Sequence, residues 1–363
     1  MTNHLFSSFK MRGMVLDNRI VVSPMAQYSA DETGRAKDWH FMHLGNLAIS
    51  GAGLLILEAT AVEPKGRVSP NCLGLWSDNQ VPCLKRIVEF ARCHSNTKLG
   101  IQLAHAGRKA SMSAPWQGSK GLLPEESGWD LVSASSLPYP GRPIPQQLDH
   151  IEMDKLKQHY MDAAIRADEI GFDLIELHCA HGYLLNTFLS TLSNTRKDKY
   201  GGDLQARMRY PLEVFRAIRA VWPEHKPLGV RISATDWVEG GWTIQDSVVF
   251  ARELSMLGCD YIATSSGGIS PNQKIPVHKG YQVPFAEEVR RATDLPSIAV
   301  GHIMDGLQAE EILTKGQADL VAIGRGMTYD PRWAWHAAEL LKVKVDFPPQ
   351  YARSSPAMRK LPR

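Results

Sequence analysis

Eight short apolar runs punctuate the chain, at residues 19–25, 53–58, 99–103, 172–177, 228–232, 261–264, 297–300 and 320–323. Most are rich in Val, Ile and Leu and too short for a helix, so each predicts a buried strand. Between most of them apolar residues return every third or fourth position. In 154–170, for example, Leu156, Tyr160, Ala163, Ala164 and Ala167 form one stripe. Eight strands alternating with helices predict an α/β fold, a (β/α)8 TIM barrel. Residues 6–17 carry scattered apolar positions and one glycine, and predict an N-terminal hairpin that caps the barrel floor. No Gly/Ser or Pro-rich linker divides the sequence, so residues 1–363 are expected to form a single barrel domain.

Two connections are too long for simple turns. Residues 106–149, after the third strand, hold Pro115, Pro124, Pro138, Pro140, Pro143 and Pro145 with little periodicity. That composition predicts a lid-like excursion over the barrel mouth. Residues 186–209 include Arg196 and Asp198, and are expected to form a solvated loop closed by an Arg–Asp pair.

Composition narrows the functional classes. The chain has 363 residues, 44% hydrophobic and 22% charged, which is ordinary for a globular protein with a large core. Its 41 Lys and Arg against 38 Asp and Glu are scattered, so no nucleic-acid footprint is expected. No stretch reaches the ~18 apolar residues of a membrane span, and the N-terminus lacks a basic region followed by an apolar core. The five cysteines are far apart, with no C-x-x-C pair. A soluble, cytoplasmic protein with reduced thiols is the expectation.

The chemistry gathers at strand ends, where a barrel displays its functional groups. Gln102 and His105 close the third strand, His178, His181 and Tyr183 the fourth, and Arg231 and Ser233 the fifth. Ser265 and Ser266 close the sixth, Gly301 and His302 the seventh, and Gly324 and Arg325 the eighth. Glycine backbone after the last two strands, with Arg325 beside it, suits a phosphate group. Arg231 sits in an apolar strand and needs an anionic or strongly accepting partner, which a flavin's pyrimidine edge would provide with Gln102 beside it. An ion pair with Asp236 or Glu176 is the alternative for Arg231. His178 and His181 could be core residues, catalytic groups, or zinc ligands with His105 and His302 completing the set. A phosphate-binding isomerase or aldolase would instead need a catalytic lysine or carboxylate at a strand end, for which Glu58 is the only strong candidate.

Several motifs together resemble the old yellow enzyme family. They are Ser23-Pro24-Met25, Glu58-Ala59, the run from Gln102 to Lys109, His178-Cys179-Ala180-His181-Gly182-Tyr183, Ser193-Asn194 with Arg196, Asp198, Tyr200, Gly201 and Gly202, and Ile323-Gly324-Arg325. The chain is most similar to the bacterial ene-reductase and xenobiotic-reductase branch. The resemblance implies an FMN-containing barrel in which NADPH or NADH reduces the flavin, and a hydride then passes to the activated C=C of a small enone or nitro substrate. It implies FMN contacts from Ser23, Pro24, Met25, Ala26, Ala59, Gln102, Arg231, Gly301, Gly324 and Arg325. His178 and His181 would hold the substrate oxygen, Tyr183 would donate the proton, and Tyr28 would line the substrate pocket. This branch usually carries cysteine where the chain has Ala26. In the same branch a Tyr-x-Arg near the chain end, here Tyr351 and Arg353, reaches the neighbouring subunit's site. A homodimer or dimer of dimers with Arg353 contributing across the interface is therefore expected. The other reading of that end is a frayed basic tail of Arg353, Arg359, Lys360 and Arg363.

Overall fold

The computed structural model describes residues 3–356 and 358, so Arg359, Lys360 and Arg363 lie outside the described residues. An antiparallel hairpin, β1 (Phe9–Met11) and β2 (Met14–Leu16), opens the chain. Then come β3 (Ile20–Val22), β4 (Leu54–Ala61) and β5 (Lys98–Ala104), followed by two short strands in the excursion, β6 (Val132–Ser133) and β7 (Gln146–Gln147). The remaining strands are β8 (Leu174–Cys179), β9 (Leu228–Ser233), β10 (Ile262–Ser265), β11 (Ser297–Ala299) and β12 (Leu320–Ile323). The sheet closes in the order β3, β4, β5, β8, β9, β10, β11, β12 and back to β3, every pair parallel.

Helices α1 (Asp38–Ala48), α2 (Val81–His94), α3 (His150–Ile170), α4 (Leu184–Leu189) and α5 (Leu204–Val221) flank the first half. Helices α6 (Ile244–Met256), α7 (Val283–Thr293), α8 (Gly306–Thr314), α9 (Arg325–Tyr329) and α10 (Trp333–Leu340) flank the second. The chain is therefore the (β/α)8 barrel that its alternating pattern predicts.

Two cores hold it. Val21, Leu54, Ile56, Leu174, Tyr261, Ile298 and Leu320 fill the lumen, and Met11, Met14 and Leu16 of the hairpin join them from below. The larger core lies between sheet and helices. Burying apolar surface on both sides of every strand is what makes these runs read as continuous rather than alternating.

Three local readings need correction. Helix α3 begins at His150, four residues before the apolar stripe, because Asp149 caps it by accepting the Glu152 N–H. The connection expected over 186–209 is helical at both ends, through residue 189 and from residue 204, leaving 190–203 irregular. The expected Arg196–Asp198 pair forms, at 2.6 Å, but the loop is only partly solvated: Arg196 is 4% exposed, and Nη1 donates to the carbonyls of Ala134 and Leu148. A buried arginine that ties the excursion to the loop after α4 reads in sequence like a surface ion pair.

Candidate active site

Strand β8 runs two residues past its predicted end, so His178 lies within the strand and only His181 and Tyr183 belong to the loop. The loop then turns through two left-handed residues, His181 at φ +60° and Gly182 at φ +73°. A Cβ on Gly182 would sit 2.3 Å from the Gly268 carbonyl oxygen, so no other residue fits. Lys109 Nζ donates to the carbonyls of His181 (2.8 Å) and Gly268 (3.0 Å), while the His181 N–H donates to Ser233 Oγ at 2.9 Å. Three strand ends and the base of the excursion are thereby joined around one tight turn.

The result is a compact trio. The His178 ring stands edge-on to both His181 and Tyr183, with centroids 5.1 Å apart in each case, and His178 Nε2 lies 3.3 Å from His181 Nδ1. Burial, helped by the charges of Arg231 and Lys109, holds both imidazoles well below the usual histidine range. Both rings are therefore neutral at physiological pH, each with one N–H. Burial raises the Tyr183 phenol, with Tyr28 and Cys72 adding to the effect, so it keeps its proton. Burial beside Arg108 and Arg142 pushes Lys109 down to about 8.

Below the trio sits Arg231. One nitrogen donates to Ser23 Oγ at 3.1 Å, but Nε is buried with no partner. No carboxylate comes within 4.0 Å of it among the described residues, so neither ion pair considered from the sequence forms. Asp236 turns instead to Ser190 Oγ at 2.6 Å and the Trp242 N–H at 2.8 Å. Glu176 is taken by Gln102 Nε2 at 2.7 Å and the Tyr261 hydroxyl at 3.2 Å. Tyr261 reaches it across Gly229, where a Cβ would fall 2.1 Å from the ring. An orphaned buried guanidinium nitrogen is costly unless an acceptor meets it. A flavin's polar edge is such an acceptor, and the residues present fit it.

The first strand delivers Pro24 and Met25, half-buried, and Ala26, exposed, to the mouth. Tyr28 follows at φ +50° and meets Trp116 of the excursion with ring centroids 5.8 Å apart. A register shift between Leu57 and Ala59 leaves Glu58 opposite no residue of β5. Its carboxylate accepts the Gln27 N–H at 2.9 Å, and His40 Nε2 stands 3.3 Å away at an angle short of a hydrogen bond. Glu58 is thus engaged in holding the first loop rather than waiting for a substrate. Across β11 and β12, Gly301 and Gly324 come to adjacent strand ends, and Arg325 donates to His302 Nε2 at 3.0 Å. The His302 ring is engaged by Arg325 and the His105 ring by Glu63 at 2.8 Å and the Gly107 N–H, so neither turns its nitrogens to His178 and His181. The four-histidine zinc arrangement does not form.

Arg353 is exposed in the turn Pro349–Ser354, where Tyr351 packs on Trp335 and Arg332. Residues 343–350 line a cavity of about 770 Å³ together with Asn18, Gly53 and Thr97, which precede strands β3, β4 and β5. Arg353 therefore belongs to the floor side of its own barrel, away from its own mouth.

Sequence reasoning assigned no role to three groups. Lys109 entered only as the end of the Gln102–Lys109 motif, yet its Nζ holds the His181 and Gly268 carbonyls; the absence of an acidic neighbour nearby in sequence was the available signal. Ser265 stood at a strand end with no stated role, yet it lies 2.7 Å from His181 Nε2. Glu63 bonds His105 Nε2 at 2.8 Å and stands 3.1 Å from His159 Nδ1 at an angle short of a hydrogen bond, while the His105 carbonyl receives the Leu184 N–H beside Tyr183.

The Glu63 cluster carries a pH signature. Burial alone would raise Glu63, but the bond from His105 and the close approach of His159 outweigh it and hold the carboxyl far below its ordinary 4.5. Its stabilisation is present above that ordinary value and is lost as pH falls through the folded one. His159 is raised above 6.5, chiefly by the Glu63 carboxylate 3.1 Å away, so its share is present below 6.5 and is lost as pH rises through the folded value. We expect Glu63→Gln to lower the urea midpoint most between pH 4.5 and 6.5, with a smaller loss on either side. A loss independent of pH across chemical denaturation curves would refute the linkage.

The comparisons with known proteins agree with this geometry. Residues 4–343 match the model of the NADH:flavin oxidoreductase / NADH oxidase family. NADPH dehydrogenase of Geobacillus thermodenitrificans is 42% identical over 355 residues, covering 97% of this chain and 99% of the relative. That of Listeria innocua serovar 6a is 44% identical over 352 residues, covering 96% and 98%. Morphinone reductase superposes with a TM-score of 0.78 at 25% identity, covering 95% of this chain and 91% of that one. Its complex with tetrahydroNAD gives 0.77 at 26%, covering 96% and 94%. The barrel and the matches along nearly its whole length make this a flavin-dependent nicotinamide oxidoreductase. The chain belongs to the NADH:flavin oxidoreductase / NADH oxidase family, that of old yellow enzyme, with FMN as prosthetic group and NADH or NADPH as reductant.

Proposed function

We propose that the protein is an ene-reductase acting on the activated C=C of small α,β-unsaturated carbonyl or nitro compounds. The carrying observation is the trio: two neutral histidine nitrogens 3.3 Å apart, beside a tyrosine that keeps its proton. His178 and His181 bind the substrate's carbonyl or nitro oxygen and stabilise the negative charge that grows there as hydride reaches the β-carbon. Tyr183 gives its phenolic proton to the α-carbon. Tyr28 lines the substrate pocket, and residues 106–149 cover it as a lid within a single domain.

Bound FMN would supply the hydride chemistry that links oxidation of the nicotinamide to reduction of the alkene, in two half-reactions at one site. Ser23, Pro24, Met25, Ala26, Ala59 and Gln102 would hold the ring, with Arg231 stabilising negative charge at its pyrimidine edge. Gly301, Gly324 and Arg325 would hold the phosphate. Gln102 spends one N–H on Glu176, which fixes the amide for its remaining contacts. Alanine at position 26 leaves this chain without the thiol that its branch places by the flavin, so its potential is set without sulfur. The working form is a homodimer or dimer of dimers in which Arg353, exposed on the floor side, enters the partner's site.

Anaerobic reduction of the purified yellow protein by NADPH and by NADH, followed by mixing with a panel of enones and nitroalkenes, tests the reading. Stoichiometric reoxidation with formation of the saturated product is expected. Reoxidation by oxygen alone, with every alkene inert, would overturn it.

A further inference from the structure

Each neutral imidazole carries one proton, so a two-histidine anchor works only if both protons face the same point. For His178 the choice is made by the backbone: the Ala180 N–H donates to Nδ1 at 3.2 Å, which leaves the proton on Nε2. His181 faces that proton with Nδ1, 3.3 Å away. With its own proton on Nε2, His181 would offer only a lone pair to the shared space and the anchor would have a single donor. We propose that Ser265 is a positioning residue which, when an anionic oxygen sits between the histidines, donates its hydroxyl proton to His181 Nε2. His181 is thereby held as its Nδ1–H tautomer and completes a pair of converging donors.

Distances around Ser265 favour this direction. Its Oγ is 2.7 Å from His181 Nε2 but 3.5 Å from Gln282 Oε1, the other acceptor within reach. That Gln282 oxygen already receives the Ser266 hydroxyl at 2.7 Å. Ser233 is not an alternative donor, because its hydroxyl donates to the Gly267 carbonyl at 2.7 Å and its oxygen takes the His181 backbone N–H. Ser265 is buried at the end of β10, whose pairing with Ser233 of β9 fixes its register under the His181 ring. Without an acceptor between the rings, the His178 proton can rest on His181 Nδ1 and the hydroxyl can turn to Gln282. An anionic oxygen makes both nitrogens donors and turns the hydroxyl back. The two-donor state is thus reserved for a ligand that brings negative charge.

This rests on the reading of the two histidines as the oxygen anchor. The test titrates FMN-loaded wild type, Ser265→Ala and Ser265→Thr with 4-hydroxybenzaldehyde, following the visible spectrum. Ser265→Ala is expected to bind roughly 10- to 100-fold more weakly, the range for a hydrogen bond to a charged group, and Ser265→Thr to recover most of the loss. In 15N-histidine-labelled wild type with saturating ligand, multiple-bond 1H–15N spectra should place the His181 proton on Nδ1, assigned against His181→Asn. A proton on Nε2 in that complex, or unchanged affinity in Ser265→Ala, overturns the role of Ser265 while leaving the anchor intact. Wild type that does not bind the phenol overturns the anchor and this role with it.

Discussion

Replacing Tyr183 by phenylalanine is expected to slow reoxidation of the reduced enzyme by an enone by roughly 10²- to 10⁴-fold, the usual worth of a positioned general acid. The ring would remain, still edge-on to His178 at 5.1 Å and under Lys109 Nζ at 5.3 Å, so fold and flavin content should hold. Only the phenolic proton is lost. Reduction by NADPH moves a hydride and needs no proton from this group, so that half-reaction should keep its rate. The contrast between the two, measured by anaerobic stopped flow on one preparation, separates loss of a donor from general damage. Equal rates for wild type and variant with the enone would remove Tyr183 from the mechanism.

Arg231→Met should strike the other half of the site. Methionine has similar length and fills the lumen without charge, but the oxidised and reduced flavin then meet no cation at the pyrimidine edge. A hydrogen bond to a charged group contributes about 1.5–3 kcal/mol, so FMN should bind roughly 10- to 100-fold more weakly. The midpoint potential should fall by about 30 mV or more, since ~30 mV corresponds to about 1.4 kcal/mol in a two-electron couple. Glu176, already raised by burial and drawn down chiefly by Arg231, would rise further and take up a proton. That protonation avoids an uncompensated buried anion, which is why the variant is expected to fold. Dye-equilibrated titration and equilibrium dialysis read both effects. A potential and an affinity equal to wild type would mean that Arg231 serves the lumen and not the cofactor.

The barrel was legible in the sequence because its pattern is local. Each strand is buried on both faces, so each run is apolar throughout, and the intervening helices repeat at 3.6 residues. Boundaries were less legible where a cap or a bulge sets them, as at Asp149 and Glu58. The His178–Cys179 end of β8 outran its expected run because His178 is polar yet buried, its Nδ1 accepting the Ala180 N–H inside the barrel.

Family membership and the cofactor also followed from residue order, since the motifs recur at strand ends whose spacing the fold dictates. Partner choice among buried polar groups did not. Arg231 had three chemically reasonable partners in sequence, and only the closed barrel shows Glu176 engaged by Gln102 and Tyr261, Asp236 turned to Ser190, and Nε left open. His178 and His181 were visible as a pair three residues apart, whereas Ser265, 84 positions further on, was assigned no part until β9 and β10 lay side by side. Amino-acid sequence by itself determined the strands, the helices and the chemistry on offer at the mouth, because short-range pattern and residue type carry that information. Tertiary structure alone decided which donor meets which acceptor, because that depends on distances between segments far apart in the chain, set by how the strands close into a barrel.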